Sequence, residues 1–125
     1  MDKNSKISGD MFTEKPLKGQ HAVITGGTRG IGAAISSYLA RLGANISLTG
    51  RTEKTLTQQA QQIRSKYKVK VHTAAGNMAD ELDVGRCFES ASKELGSVQI
   101  LVNNAGVGKS APFHRMETNL WNEII

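Results

Sequence analysis

A chain of 125 residues has room for one domain with its own core, and 38% hydrophobic residues with 13 glycines lie near the globular average. The apolar runs are only a few residues long, as at Ile100 to Val102, too short for a membrane-spanning helix, and the lone Cys87 has no partner for an internal disulfide, so a cytoplasmic location is expected. The net charge of +5 is concentrated: within residues 51–70 Arg51, Lys54, Arg64, Lys66, Lys68 and Lys70 face only Glu53. With no aromatic beyond Tyr67 in that stretch and no nucleic-acid motif, it reads as a solvated helix face, and neither nucleic acid nor a membrane is an expected partner.

Residues 1–19 are polar and mixed in charge, without the apolar stretch of a secretory signal, and read as a flexible lead-in to a domain over residues 20–125. His21 to Thr25 is a short apolar run with a β-branched finish, the first strand. Beyond the glycines that follow it, Ile31, Ile35, Tyr38, Leu39 and Leu42 recur at three- and four-residue intervals. They predict a helix burying that face and stopping at Gly43.

Asn45 to Thr49 predicts a second strand, and Thr52 is placed to cap a second helix with Leu56, Ala60, Ile63 and Tyr67 on one side. Val69 to Ala74 alternates as a third strand. Asp80 opens a third helix with Val84, Phe88, Ala91 and Leu95 inward and Gly96 at its end, and Val98 to Val102 is a fourth strand. Short apolar strands alternating with amphipathic helices predict an α/β fold, a Rossmann-like doubly wound parallel sheet. It is expected to stop after the fourth strand and the start of a fourth helix around Trp121.

The segment TGGTRGIG, Thr25 to Gly32, links the first strand to the first helix. In that setting a glycine turn binds phosphate, because uncapped N–H groups and the helix dipole meet at the helix start. Its spacing, Gly26, Gly30 and Gly32, departs from G-x-G-x-x-G. Gly26 is expected to let the chain turn, Gly30 to admit a phosphate against the backbone, and Gly32 to let the helix pack closely on the sheet.

With NNAG, Asn103 to Gly106, at the end of the fourth strand, TGGTRGIG resembles the paired motifs of the short-chain dehydrogenase/reductase family, and the likeness runs from about Gln20 to Ile125. The resemblance implies that Gly26, Thr28, Arg29, Gly30 and Ile31 line the cofactor phosphates and adenosine ribose. Asn103, Ala105 and Gly106 would flank the ribose and nicotinamide, with Asn103 and Asn104 bracing the sheet. Where the family commonly has an aspartate at the adenine amino group, this chain has Asn77, whose amide oxygen can accept the same bond, with Met78 as a neighbouring backbone contact. The second strand ends in Gly50-Arg51-Thr52, with no carboxylate for the NAD ribose and a guanidinium suited to an extra phosphate. NADP(H) is therefore expected over NAD(H), with Arg29 approaching the same phosphate.

The resemblance further implies reduction of a carbonyl or oxidation of an alcohol, with a likeness to 3-oxoacyl-thioester reductases, a small-molecule substrate and a homo-oligomer. The family's catalytic tyrosine needs a lysine four residues later to lower its pKa. Tyr38 is followed at that distance by Leu42 and Tyr67 by Val71, so the catalytic Ser, Tyr and Lys, and a relay asparagine, are expected beyond Ile125. The alternative is a non-catalytic nucleotide-binding or interaction module, separated from the enzyme by turnover with NADPH and a ketone. Without strands beside the fourth, the isolated chain is expected to be marginally stable, to aggregate or to pair with a partner. A competing nucleoside-triphosphate loop at Asn103 to Ser110 lacks its first glycine, and the scattered His21, His72 and His114 give no metal site.

Overall fold

A computed structural model describes residues 14–104. Four strands alternate with three helices: β1 (His21–Thr25), α1 (Gly30–Arg41), β2 (Asn45–Gly50), α2 (Glu53–Tyr67), β3 (Val71–Ala75), α3 (Glu81–Leu95) and β4 (Ile100–Asn103). The strands form one parallel sheet in the order β3-β2-β1-β4, the doubly wound arrangement that the alternation predicts. The expected fourth helix lies outside the described residues.

Because successive side chains of a strand point to opposite faces, β1 and β2 divide their residues between two cores. Ala22, Ile24, Ile46 and Leu48 meet Ala40, Leu56, Ala60 and Ile63 on the side of α1 and α2. Val23 meets Val84, Phe88, Ala91 and Val98 beneath α3. Burying a leucine- or isoleucine-sized side chain contributes about 1.5–3 kcal/mol, so these two layers hold the helices against the sheet.

The expected inner face of α1 is corrected by the structure. Ile31 is 71% exposed and Tyr38 50%, whereas the buried residues are Gly32, Ser36 and Ala40. Small side chains let the helix approach the sheet, and the Ser36 hydroxyl donates to the Gly32 carbonyl at 2.8 Å, so its burial leaves no unmet polar group. Gly43 follows the helix with φ +104°, where the periodicity placed the stop.

Leu56, Ala60 and Ile63 are buried on α2, as their spacing predicts, with Tyr67 packed at the margin. Thr52 occupies the N-cap position, but its side chain makes no capping bond; instead Thr55 Oγ1 donates to the Thr52 carbonyl at 2.9 Å. Asp80 does cap α3, accepting from the Leu82 N–H at 3.0 Å.

The lead-in expected over residues 1–19 is tied down in its last residues. The Leu17 N–H donates to the Leu42 carbonyl at 2.9 Å and the Leu17 side chain packs on the first core. This turn seats against the end of α1, close enough that a Cβ at Gly43 would stand 2.7 Å from the Lys15 Cβ.

Candidate functional site

The parallel register brings the strand ends to one rim: Thr25 lies beside Thr49 and Asn103, and Gly50 beside Ala75. The sheet reverses its order at β1, with β2 on one side and β4 on the other, so a crevice opens at the end of β1. That is where open α/β sheets take ligands.

The glycine turn leaves β1 at this crevice. Gly26 has φ +68°, its N–H donates to the Thr49 carbonyl at 2.8 Å, and its own carbonyl accepts from Asn104 Nδ2 at 3.0 Å. A Cβ at Gly32 would stand 2.2 Å from the Gly26 carbonyl oxygen and 2.7 Å from Asn104 Nδ2. Gly32 thus closes the turn on itself and on Asn104, rather than serving only the helix-to-sheet packing expected of it. Gly27 shares that packing role: a Cβ there would meet Leu48 Cδ2 at 2.8 Å and Ile24 Cγ2 at 3.1 Å. Sequence reasoning passed over Gly27, and the doublet Gly26-Gly27 was the available signal. Around Gly30, at φ +47°, none of the described residues comes within 4 Å of a Cβ position, which leaves that side of its backbone open among them.

The start of α1 has the character of an anion site. Arg29 precedes it in extended conformation without a side-chain cap, and no acidic residue occupies the first turn. The positive end of the helix dipole is therefore not offset by a protein carboxylate there. Thr28 is half-buried, whereas Arg29, Ile31 and Arg51 are exposed, Arg51 standing just past the end of β2.

At the outer side of the rim, the Gly76 N–H donates to the Gly50 carbonyl at 2.8 Å, joining the loop after β3 to the end of β2. Met78 packs on the second core, and its Sδ accepts from Thr49 Oγ1 at 3.4 Å. Asn77 is exposed, but its Oδ1 already accepts from the Ala79 N–H at 2.9 Å, so one lone pair rather than two remains for a ligand. Cys87 lies beneath this loop, and burial pushes its thiol pKa up, which keeps it a packing residue rather than a nucleophile.

On the β4 side, Asn103 Oδ1 accepts from Thr25 Oγ1 at 3.2 Å, so both asparagines bind β1 or its turn. The structure brings Gly26, Gly32 and Asn104 into contact, and Thr25 with Asn103. It sets Asn77 and Met78 on the same rim but across β2. Ala105, Gly106 and the rest of the competing triphosphate loop through Ser110 lie outside the described residues.

Neither described tyrosine belongs to the rim chemistry. Tyr67 ends α2 at the opposite end of the sheet, with Lys66 Nζ 5.6 Å from its ring centroid as a surface cation–π contact. Among the described residues no three His, Cys, Asp or Glu side chains gather as a metal site, and no helix is long and apolar enough to cross a membrane.

Comparison with known proteins places these features in a family. The family model of short chain dehydrogenases matches residues 20–125. The 3-oxoacyl-[acyl-carrier-protein] reductase of Aquifex aeolicus is 36% identical over 112 residues, 90% of this chain and 45% of that protein. The L-rhamnose 1-dehydrogenase (NADP(+)) of Thermoplasma acidophilum is 38% identical over 108 residues, covering 86% and 42%. Among solved structures, L-sorbose reductase from Gluconobacter frateurii, complexed with NADPH and L-sorbose, superposes with a TM-score of 0.71 at 33% identity, covering 82% of this chain and 41% of that one. The chain spans less than half the length of these relatives.

Proposed function

The chain belongs to the short-chain dehydrogenase family, and on that premise we propose that residues 20–125 form the cofactor-binding part of an NADP(H)-dependent oxidoreductase that reduces a carbonyl or oxidises an alcohol. The observation that carries this reading is the glycine turn at the end of β1, closed by the Asn104 bond to Gly26 and opening onto the uncapped start of α1. Bound at this turn, a nicotinamide cofactor would supply hydride chemistry.

The protein's own residues hold that cofactor. Gly26, Thr28, Gly30, Ile31 and Gly32 shape the pyrophosphate turn, and the open approach to Gly30 fits a phosphate against the backbone. Arg51, with Arg29, receives the extra phosphate of NADP; no carboxylate stands immediately after β2 to repel it. Asn77 and Met78 serve the adenine, and Asn103, Ala105 and Gly106 the ribose and nicotinamide. The relative solved with NADPH supports this choice of dinucleotide.

Proton transfer is assigned to a Ser, Tyr and Lys beyond Ile125, and the substrate to a small carbonyl or alcohol, with 3-oxoacyl thioesters among the candidates by likeness to the Aquifex aeolicus reductase. Assembly as a homo-oligomer belongs to the same reading. Fluorescence titration of the chain with NADPH and NADH tests the cofactor assignment. NADPH is expected to bind the more tightly; equal affinities would sink the phosphate role of Arg51, and no binding of either would sink the dinucleotide site.

A further inference from the structure

The loop after β3 is shaped by a side chain that none of the motif residues includes. Asp83, in the first turn of α3, reaches back over the N-cap: its Oδ2 accepts from the Asn77 N–H at 2.8 Å, while its Oδ1 pairs with Arg86. Hydrogen bonding from the Asn77 N–H, then from Arg86, holds the Asp83 carboxyl below the usual range. A Cβ at Gly76 would stand 3.4 Å from the Asp83 Cβ and 3.1 Å from the Cys87 sulfur, so the loop lies directly against α3.

Three further bonds make this a closed unit. The Asn77 carbonyl accepts from the Asp80 N–H at 2.9 Å, Asn77 Oδ1 accepts from the Ala79 N–H at 2.9 Å, and the Gly76 N–H holds the end of β2 through Gly50. Asn77 has little freedom left: its amide, its carbonyl and its side-chain oxygen are each engaged. The bond that fixes the loop to the helix, rather than to itself, is the one from Asp83. Without it the loop keeps its internal bonds but loses this tie between the Asn77 backbone and α3.

We propose that Asp83 is a positioning residue for cofactor binding, which acts through the Asn77 backbone to hold the loop of residues 76–80 in place for the adenine ring. The inference rests on the dinucleotide reading of this rim. It also separates from the phosphate role of Arg51, because both cofactors carry the same adenine and only one carries the extra phosphate.

The test is calorimetric titration of the parent chain, Asp83→Ala and Asp83→Asn with NADPH, NADH, ADP-ribose and nicotinamide mononucleotide, each protein first checked for its fold by circular dichroism. Asp83→Ala is expected to weaken NADPH, NADH and ADP-ribose by the same factor, about tenfold for one charge-assisted bond, and to leave nicotinamide mononucleotide unchanged. Asp83→Asn keeps an oxygen that can accept from Asn77 and is expected to recover most of the affinity. An Asp83→Ala chain that binds ADP-ribose as tightly as the parent overturns the proposal, as does an equal loss for nicotinamide mononucleotide. If the parent binds neither NADPH nor NADH, the dinucleotide reading itself falls and takes this inference with it; a binding parent with an indifferent variant removes this inference alone.

Discussion

Asn104 donates its side-chain N–H to the carbonyl of Gly26 at 3.0 Å, across 78 positions of sequence. The two motifs by which the family was legible are therefore physically one structure: the end of β4 holds the turn after β1 closed. Replacing Asn104 with Ala removes a donor from a partly buried carbonyl, and the expected cost is about 1 kcal/mol. Asn104→Asp places an acceptor against an acceptor and is expected to cost more. Urea denaturation of both variants checks the order, and equal stability to the parent in both would deny the bond its role.

Gly32 and Gly30 make a contrasting pair. At Gly32 a Cβ would stand 2.2 Å from a backbone oxygen, so the turn must open to admit it. Gly32→Ala is expected to destabilise the chain by about 1–3 kcal/mol and to weaken NADPH binding. At Gly30 the surrounding space is open and only the left-handed φ of +47° resists, so Gly30→Ala is expected to cost about 1 kcal/mol. Denaturation midpoints for the two variants are the measurement; a Gly32→Ala chain as stable as the parent would contradict the geometry.

Arg51 is exposed just beyond β2, so its contribution to stability is expected to be small and its contribution to cofactor choice large. Arg51→Asp replaces the proposed phosphate partner with a charge that repels phosphate and can bond ribose hydroxyls. The NADPH-to-NADH affinity ratio is expected to fall by about tenfold or more, given about 1.5–3 kcal/mol for a hydrogen bond to a charged group. Parallel titrations with both dinucleotides read this directly, and an unchanged ratio would remove Arg51 from the site.

At the far end of the sheet, His21 Nδ1 lies 2.9 Å from the Gly96 carbonyl and Nε2 lies 2.6 Å from Ser47 Oγ. The carbonyl can only accept, so Nδ1 carries the proton and Nε2 accepts from Ser47 in the neutral ring. Burial, the largest cause, holds the His21 pKa below its ordinary value of 6.5, and burial lowers His72 in the same way. Below about pH 6.5 the unfolded chain binds protons that the folded chain refuses, so stability is full above that pH and falls as the pH drops toward the folded-state pKa. Urea melts between pH 8 and 5 are expected to show this decline and a shallower one for His21→Gln. Identical slopes would assign the acid sensitivity elsewhere.

Much of the fold was legible because period and punctuation agree. The apolar runs of β1 and β2, the spacing of Leu56, Ala60 and Ile63, and the Asp80 cap each state a local preference that the structure keeps. α1 was legible as a helix but not in its orientation. Periodicity weighs large apolar residues, whereas close approach to the sheet selects small ones, and Gly32, Ser36 and Ala40 carry little hydrophobic signal beside Ile31 and Tyr38. Gly27 and Asp83 escaped for a related reason: their importance lies in distances to Leu48 and to the Asn77 amide, which no spacing in the chain records.

The central place of β1 in the sheet, between β2 and β4, also sets the order of events in time. Of the four described strands β1 is the first to leave the ribosome, yet it gains its second neighbour only when Ile100 comes to lie beside Ala22. Closing so long a stretch of chain carries an entropic cost that must be met before its contacts form. The glycine turn therefore takes its closed form only once β4 has paired with β1 and Asn104 reaches the Gly26 carbonyl. Bound nucleotide is expected to slow the unfolding of the finished sheet while leaving its rate of assembly unchanged.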